Sequence, residues 1–165
     1  MRQHQAIRRA DTNITVSRDK NITVFSLRNK QGAAGIGLKL IRELHILFPR
    51  VARRDMVNMV VCVTEIAHNA IKSEEQFPVE IRLERTQNAL FCSVKEAKPF
   101  PNPKSIKLPG NLLAEDGRGL FTVKVLTGNK LRIDGEHGTV SFEYELSKSR
   151  EGLERRHPMT EKIAV

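Results

Sequence analysis

The sequence predicts an α+β protein, a two-layer α/β sandwich with helices on one face of a mixed, mostly antiparallel sheet. Residues 53–72 place apolar side chains at steps of three and four, which is typical of a helix with one wide buried face. Residues 139–146 alternate apolar and polar side chains, which indicates a strand with one buried face. Residues 14–27 and 79–94 each contain two strand patterns around a polar turn, as antiparallel hairpins do. A ligand cleft is expected between the helices and the sheet.

The first part of the chain predicts an arm, a hairpin and a helix. Residues 1–12 are polar and basic without periodicity, so we expect a flexible arm before a domain that covers residues 13–147. Strand patterns on both sides of residues 17–21 predict the first hairpin. Helical spacing follows over residues 36–48, and Pro49 ends that helix.

The central helix carries a polar pair near its end. Glu65 and Asn69 are four residues apart, which places both side chains on one flank, one turn apart, with His68 at its edge. A carboxylate can accept a proton, and a carboxamide oxygen can ligate a hard cation such as Mg²⁺. Taken alone, the pair also fits the solvated side of an amphipathic helix.

Two strands and a proline-rich loop follow the central helix. Residues 79–83 and 90–94 are predicted strands joined by a polar turn. Between residues 99 and 110 the density of proline excludes a regular helix and favours an extended loop.

A glycine pair introduces the last helix. Gly117 and Gly119 precede helical spacing over residues 120–126, and a helix N-terminus after such a pair can bind an anion. The strand patterns of residues 130–133 and 139–146 close the domain. Residues 148–165 are charged without pattern and are expected to form a flexible tail.

The polar pair and the glycine pair occur in the order and spacing of known motifs. EIAHNAIKS, DGRGLFTVKVL and GEHGTVSFEYEL resemble segments of the superfamily that unites gyrase-type, chaperone, histidine-kinase and mismatch-repair ATPases, including its N-box and G2 box. Over residues 20–146 the chain is most similar to small members, the bacterial anti-sigma factor serine kinases. The resemblance implies a histidine-kinase-like (GHKL) ATPase fold.

The resemblance also implies ATP and Mg²⁺ as cofactors, with roles for particular residues. Asn69 matches the family's magnesium ligand, and Glu65 matches its general base. The pair Gly138 and Thr139 matches the border of the adenine site. The residues that match the triphosphate-binding loop are Gly117, Arg118, Gly119 and Leu120.

One family motif is altered. The family has D-x-G-x-G-F after the central strand, and its aspartate recognises the adenine amino group. Counted back from Phe100, this chain has Lys95, Ala97 and Pro99 at the positions of the aspartate and the two glycines. A lysine cannot accept the adenine amino hydrogen, and a proline has no backbone N–H to donate. Glu96 is one residue out of register, which is expected to point it to the other face of the strand. The alternative is therefore a protein-interaction module that has lost nucleotide binding.

Composition limits the class of protein. The chain has 165 residues and a net charge of +9, which we assign to the two terminal segments and residues 95–107 rather than to a folded face. It has no tryptophan and a single tyrosine, so direct nucleic-acid binding is not expected. No long apolar run or signal-like start occurs, so neither a membrane protein nor a secretory precursor is expected. Cys62 and Cys92 are expected to be buried reduced thiols, with a disulfide between them left open.

These observations together lead us to expect a bacterial cytoplasmic regulator of transcription. By its resemblance it would be a homodimer that binds a sigma factor or the antagonist protein of that factor. It would act as a serine/threonine kinase by transferring phosphate from ATP to a serine of the antagonist.

Overall fold

The computed structural model describes residues 13–72, 74–101 and 118–147. The strands are β1 (Ile14–Asp19), β2 (Ile22–Leu27), β3 (Val79–Arg85), β4 (Ala89–Lys95), β5 (Leu131–Asp134) and β6 (Thr139–Glu145). The helices are α1 (Lys30–Ala33), α2 (Ile36–Leu47), α3 (Arg53–Ala70) and α4 (Arg118–Leu126), and a 3₁₀ turn covers Glu74–Gln76. The predicted arm and tail, most of the proline-rich loop and Gly117 lie outside the described residues.

The strands form one six-stranded sheet in the order β1-β2-β3-β4-β6-β5. Each of the five strand pairings in the described residues is antiparallel, so the prediction of a mixed sheet was wrong in that respect. The position of β6 explains why no parallel pair forms among the described strands. The strands β4 and β5 run in the same direction, but β6 lies between them and pairs with both. The α+β class itself is confirmed.

The helices cover one face of the sheet, and the core lies between the two layers. Alternate strand residues face this core, such as Phe25 on β2, Ile81 on β3 and Phe142 on β6, each at most 1 % exposed. The helices contribute residues at helical spacing to the same core, such as Leu44 on α2 and Met59 on α3. Because burial of one such side chain contributes about 1.5–3 kcal/mol, this shared interface is the main source of stability.

The two cysteines lie in this core. Cys62 and Cys92 are both buried and free, which confirms the predicted thiols and leaves the disulfide unformed. Burial raises the pKa of Cys62 to about 12, with a further contribution from the charge of Glu65. Burial also raises the pKa of Cys92. Both thiols are therefore protonated and unreactive at neutral pH.

A buried carboxylate fastens the start of α3 to the end of β6. Asp55 is 1 % exposed and accepts hydrogen bonds from the hydroxyl of Tyr144 at 2.9 Å and from Ser147. The Ser147 donors are its backbone N–H at 3.0 Å and its hydroxyl at 2.8 Å. Asn58 donates a further bond to the Tyr144 hydroxyl at 2.9 Å. Helix α3 is thereby held against a central strand of the sheet.

The outer side of the helical layer carries more positive charge than the sequence analysis assigned to it. Between residues 36 and 64 the basic residues are Lys39, Arg42, Arg50, Arg53 and Arg54. The acidic residues of that stretch, Glu43 and Asp55, are 2 % and 1 % exposed. Glu43 accepts hydrogen bonds from Arg18 and Thr23. The carboxylates of Glu43 and Asp55 are therefore both hydrogen-bonded inside the protein. The assignment of charge to the tails and one loop was therefore incomplete, because burial of the acids leaves a basic folded surface.

Within the described parts of the chain, no helix combines the length and the apolar character that crossing a membrane requires.

Candidate functional site

The polar pair of the central helix lies near the C-terminal end of α3. Glu65 and Asn69 are both partly buried, whereas His68 between them is exposed. The four-residue step corresponds to about 6 Å along the helix axis. Helix α3 packs between α2 and α4, so this end of α3 is covered by α4 rather than open on all sides.

Gly119 lies directly against Glu65. A Cβ atom at position 119 would be 3.0 Å from the Glu65 Cδ, and closer still to Oε2, so a side chain there would overlap the carboxylate. Only glycine lets the start of α4 approach Glu65 this closely without displacing it. The two segments that the sequence analysis combined, which are far apart in the chain, thus meet in the fold.

The other residues of the glycine segment have different environments. Arg118 is exposed at the first turn of α4, and Leu120 is partly buried and packs against the core. The helix N-terminus at Arg118 begins beside the Glu65 side chain, because Gly119 is its second residue. Gly117 lies outside the described residues.

At the end of β4, Lys95 and Glu96 lie on different faces of the strand. Lys95 is exposed, whereas Glu96 is 9 % exposed and continues the buried row of Cys92 and Val94. Glu96 therefore lies on the opposite face of the strand from Lys95, as the shift of one residue predicted, and that face is the one towards the helices. Strand alternation places even-numbered residues of β4 towards the helices, so Lys95 is the residue that faces away.

Glu96 is electrostatically unusual. Burial raises its pKa to about 7, and a hydrogen bond with Gln76 opposes this rise. A carboxylate in this environment can be either protonated or charged near neutral pH, so it can either donate or accept a hydrogen bond. The signal that could have identified it is the continued alternation of Leu90, Cys92 and Val94 into position 96.

The turn between β5 and β6 forms a wall next to Glu96. Gly138 has a φ of +62°, and a Cβ atom there would be 2.8 Å from the Lys98 carbonyl oxygen and 3.1 Å from that of Glu96. The Gly138 carbonyl accepts a 2.8 Å hydrogen bond from the Glu96 N–H. Thr139 is partly buried, and its hydroxyl donates to the His137 carbonyl at 3.2 Å.

Backbone hydrogen bonds fix the segment after β4 between two parts of the structure. The Ala97 N–H donates to the Gln76 carbonyl at 3.0 Å, and the Phe100 N–H donates to Gly135 at 2.9 Å. Gln76 belongs to the short connection that follows α3. Glu96 and Gly138 therefore lie at the same end of the sandwich as Asn69.

At this end of α3, the Asn69 carboxamide is a group that could ligate a metal ion. Among the described residues, no group of three or more histidine, cysteine, aspartate or glutamate side chains could hold a metal ion. The Asn69 carboxamide has no hydrogen-bond partner among the residues that the structure describes. Magnesium commonly takes one or two protein oxygens and completes its shell with phosphates and water.

A separate cleft of about 1330 Å³ lies at the other end of α3. Its lining includes Arg50, Asp55, Asn88, Glu145 and Ser147. Asp55 and Glu65 are ten residues apart on α3, which is about 15 Å along the axis. This cleft is therefore distinct from the site at Glu65.

Searches of family models and of curated proteins found no match to this chain. The chemistry of the site must consequently be argued from its own residues.

Proposed function

We propose that this chain is a bacterial regulatory protein resembling the anti-sigma factor serine kinases, with a histidine-kinase-like fold that binds ATP and Mg²⁺. The observation that carries the proposal is the contact between Glu65 and Gly119. It joins a helix-borne carboxylate to a glycine at a helix N-terminus, which is where a phosphate group is most readily bound.

Each polar group then has a chemical task. The Asn69 oxygen would hold the magnesium ion that neutralises the phosphates. The backbone N–H groups at the start of α4 would donate to the phosphate oxygens. Glu65 would accept the proton of an attacking serine hydroxyl. Glu96, which is buried, would supply the carboxylate that the altered adenine motif lacks, and in its charged form it would accept the adenine amino hydrogen.

The partners follow from the same proposal. A sigma factor, or the antagonist protein of that factor, would bind to the outside of the domain, and the antagonist would receive the phosphate on serine. We propose a homodimer, for which the unpaired outer edge of β1 is available among the described strands. Free, buried thiols support a reducing, cytoplasmic setting.

Calorimetric titration with ATP and MgCl₂ tests the proposal. We expect micromolar binding by the full chain and its loss in Asn69→Ala. His68→Ala is the matched control, because it lies one residue away and points to solvent. If Asn69→Ala binds as tightly as the parent protein, the assigned metal ligand is wrong.

A nucleotide-free interaction module is the second candidate. The observation that favours it is the sequence from Lys95 to Pro99, which lacks the family glycines and has a proline in place of a backbone donor. Absence of heat at about 1 mM ATP, which corresponds to a binding free energy weaker than about −4 kcal/mol, would support this candidate over the enzyme.

A further inference from the structure

The outer surface of α2 and α3 combines free basic groups with exposed aliphatic side chains. On α2, Leu38, Arg42 and Ile46 follow one another at steps of four, so they form a single stripe. On α3, Arg53 and Val57 form a second stripe with the same spacing. Leu38, Ile46 and Val57 are 77 %, 53 % and 52 % exposed. These two stripes are called the hairpin surface below.

Both stripes face away from the sheet. The inner sides of α2 and α3 are occupied by core residues such as Leu40, Leu44, Met59 and Val63, which are fully buried. The two helices also pack against each other. Their exposed residues therefore lie on one continuous layer rather than on opposite sides of the molecule.

The charge of this layer is not balanced from within. Lys39, Arg42, Arg50 and Arg53 make no ion pair with the described residues. The acids that alternate with them in sequence, Glu43 and Asp55, are turned inward and hydrogen-bonded. A partner that carries negative charge would complement this layer.

We propose that the hairpin surface binds an acidic amphipathic helix of a partner protein, whose aliphatic side chains contact Leu38, Ile46 and Val57 while its carboxylates pair with the arginines. An amphipathic helix can bind another protein through its apolar face, with anchor residues at steps of three and four. Arginine is enriched in protein interfaces and pairs with carboxylates through two parallel hydrogen bonds.

The composition favours a protein over the other anionic ligands. Single-stranded nucleic acids are bound by basic grooves with aromatic stacking groups, and neither stripe contains an aromatic residue. Interfacial membrane helices use tryptophan, phenylalanine or leucine at the boundary. Of these residue types, the two stripes contain only Leu38 and no aromatic side chain. The surface is separate from the proposed nucleotide site, so the binding does not require ATP.

Selection from a phage-displayed library of random 20-residue peptides on the immobilised full chain, without nucleotide, tests the proposal. We expect enriched peptides that are acidic, contain leucine or isoleucine at steps of three and four, and bind measurably by fluorescence anisotropy. In the variants Arg42→Glu and Leu38→Ser, we expect the affinity to fall about tenfold or more. Both residues are exposed, and circular dichroism checks that the fold is kept.

Arg132→Glu is the matched control, because it makes the same charge change at an exposed position on the edge strand β5. It should bind like the parent protein. The proposal is overturned if no peptide is enriched over the bare support, if the enriched peptides are not acidic, or if Leu38→Ser binds them as tightly as the parent. It is also overturned if oligo(dT) or phosphatidylserine vesicles bind the parent more tightly than the selected peptides and lose that binding in Arg42→Glu.

Discussion

The carboxylate of Glu65 occupies the space that any side chain at position 119 would need. The relationship links the last turns of α3 with the first turn of α4, and it restricts position 119 to glycine for as long as Glu65 keeps its place. Helix stability and the position of Glu65 therefore favour different residues at position 119. Alanine is a better helix former, but only glycine leaves the Glu65 carboxylate in place.

Gly119→Ala is expected to keep or raise stability while damaging the site. Alanine within a helix contributes up to about 1 kcal/mol more than glycine. The added methyl group, however, must push the Glu65 carboxylate aside, so we expect ATP affinity to fall about tenfold or more. Thermal denaturation and calorimetric titration measure the two effects. Gly37→Ala on α2 is the control, because a methyl group there meets open space. An unchanged ATP affinity in Gly119→Ala would show that the contact has no role in binding.

The stability of the protein is expected to depend on the titration of Glu96. Because burial raises its pKa from 4.5 to about 7, the folded protein keeps a proton that the unfolded chain releases between those values. This contribution to the free energy of unfolding is present below about pH 4.5 and is lost as the pH rises through 7. In Glu96→Gln this pH-dependent loss of stability cannot occur, because the glutamine side chain does not titrate. We therefore expect the stability of Glu96→Gln relative to the parent to be greater at about pH 8 than at about pH 5, by roughly 1–3 kcal/mol.

Urea denaturation at the two pH values measures this difference. Glu136→Gln, which changes an exposed carboxylate in the β5–β6 turn, should show no comparable difference. If the two variants behave alike, Glu96 is not desolvated in the folded protein.

Nucleotide selectivity is expected to change over the same pH range. Charged Glu96 would accept the amino hydrogen of adenine, and the protonated form would donate to the carbonyl oxygen of hypoxanthine instead. We expect the preference for ATP over ITP to increase as the pH rises from about 6 to about 8, and to become independent of pH in Glu96→Gln. Competition titrations at several pH values measure the ratio of the two dissociation constants. A ratio that is constant with pH in the parent protein would remove Glu96 from the adenine site.

Asp55 is expected to be one of the most sensitive positions for stability outside the apolar core. Asp55→Ala leaves the Tyr144 hydroxyl and the Ser147 N–H without their acceptor, and we expect the free energy of unfolding to fall by about 2–4 kcal/mol. Tyr144→Phe removes the bond to Asp55 and also the acceptor of the Asn58 bond, and it should cost about 1–2 kcal/mol. Urea denaturation measures both variants. A loss below about 1 kcal/mol in Asp55→Ala would contradict the role assigned to this carboxylate.

The sequence predicted the elements well, because their patterns are local. The spacing of apolar residues on α3 and the alternation in β6 are each set by neighbours within a few positions, and most elements were found within two residues of their predicted bounds. The exceptions are β1, which extends to Asp19 into the predicted turn, and the short helix α1, which was not predicted. The meeting of Glu65 with Gly119, in contrast, was indicated by a family resemblance and by no local pattern.

The features that sequence reasoning missed are properties that only the tertiary structure decides. The inward direction of Glu96 depends on a strand phase that continues beyond the last ladder residue, Lys95. The basic hairpin surface exists because Glu43 pairs with Arg18, 25 residues away, and Asp55 pairs with Tyr144, 89 residues away. A count of charges along the chain cannot show which of them will be buried.

The place of β6 in the sheet has a consequence for synthesis of the protein on the ribosome. As the chain emerges, β4 is completed early, but its outer edge has no partner until residues 139–145 have been made, because β5 cannot occupy that place. A nascent chain that pauses before β6 would therefore present an open strand edge above an incompletely covered core, which is the form most prone to aggregation and most suited to recognition by chaperones.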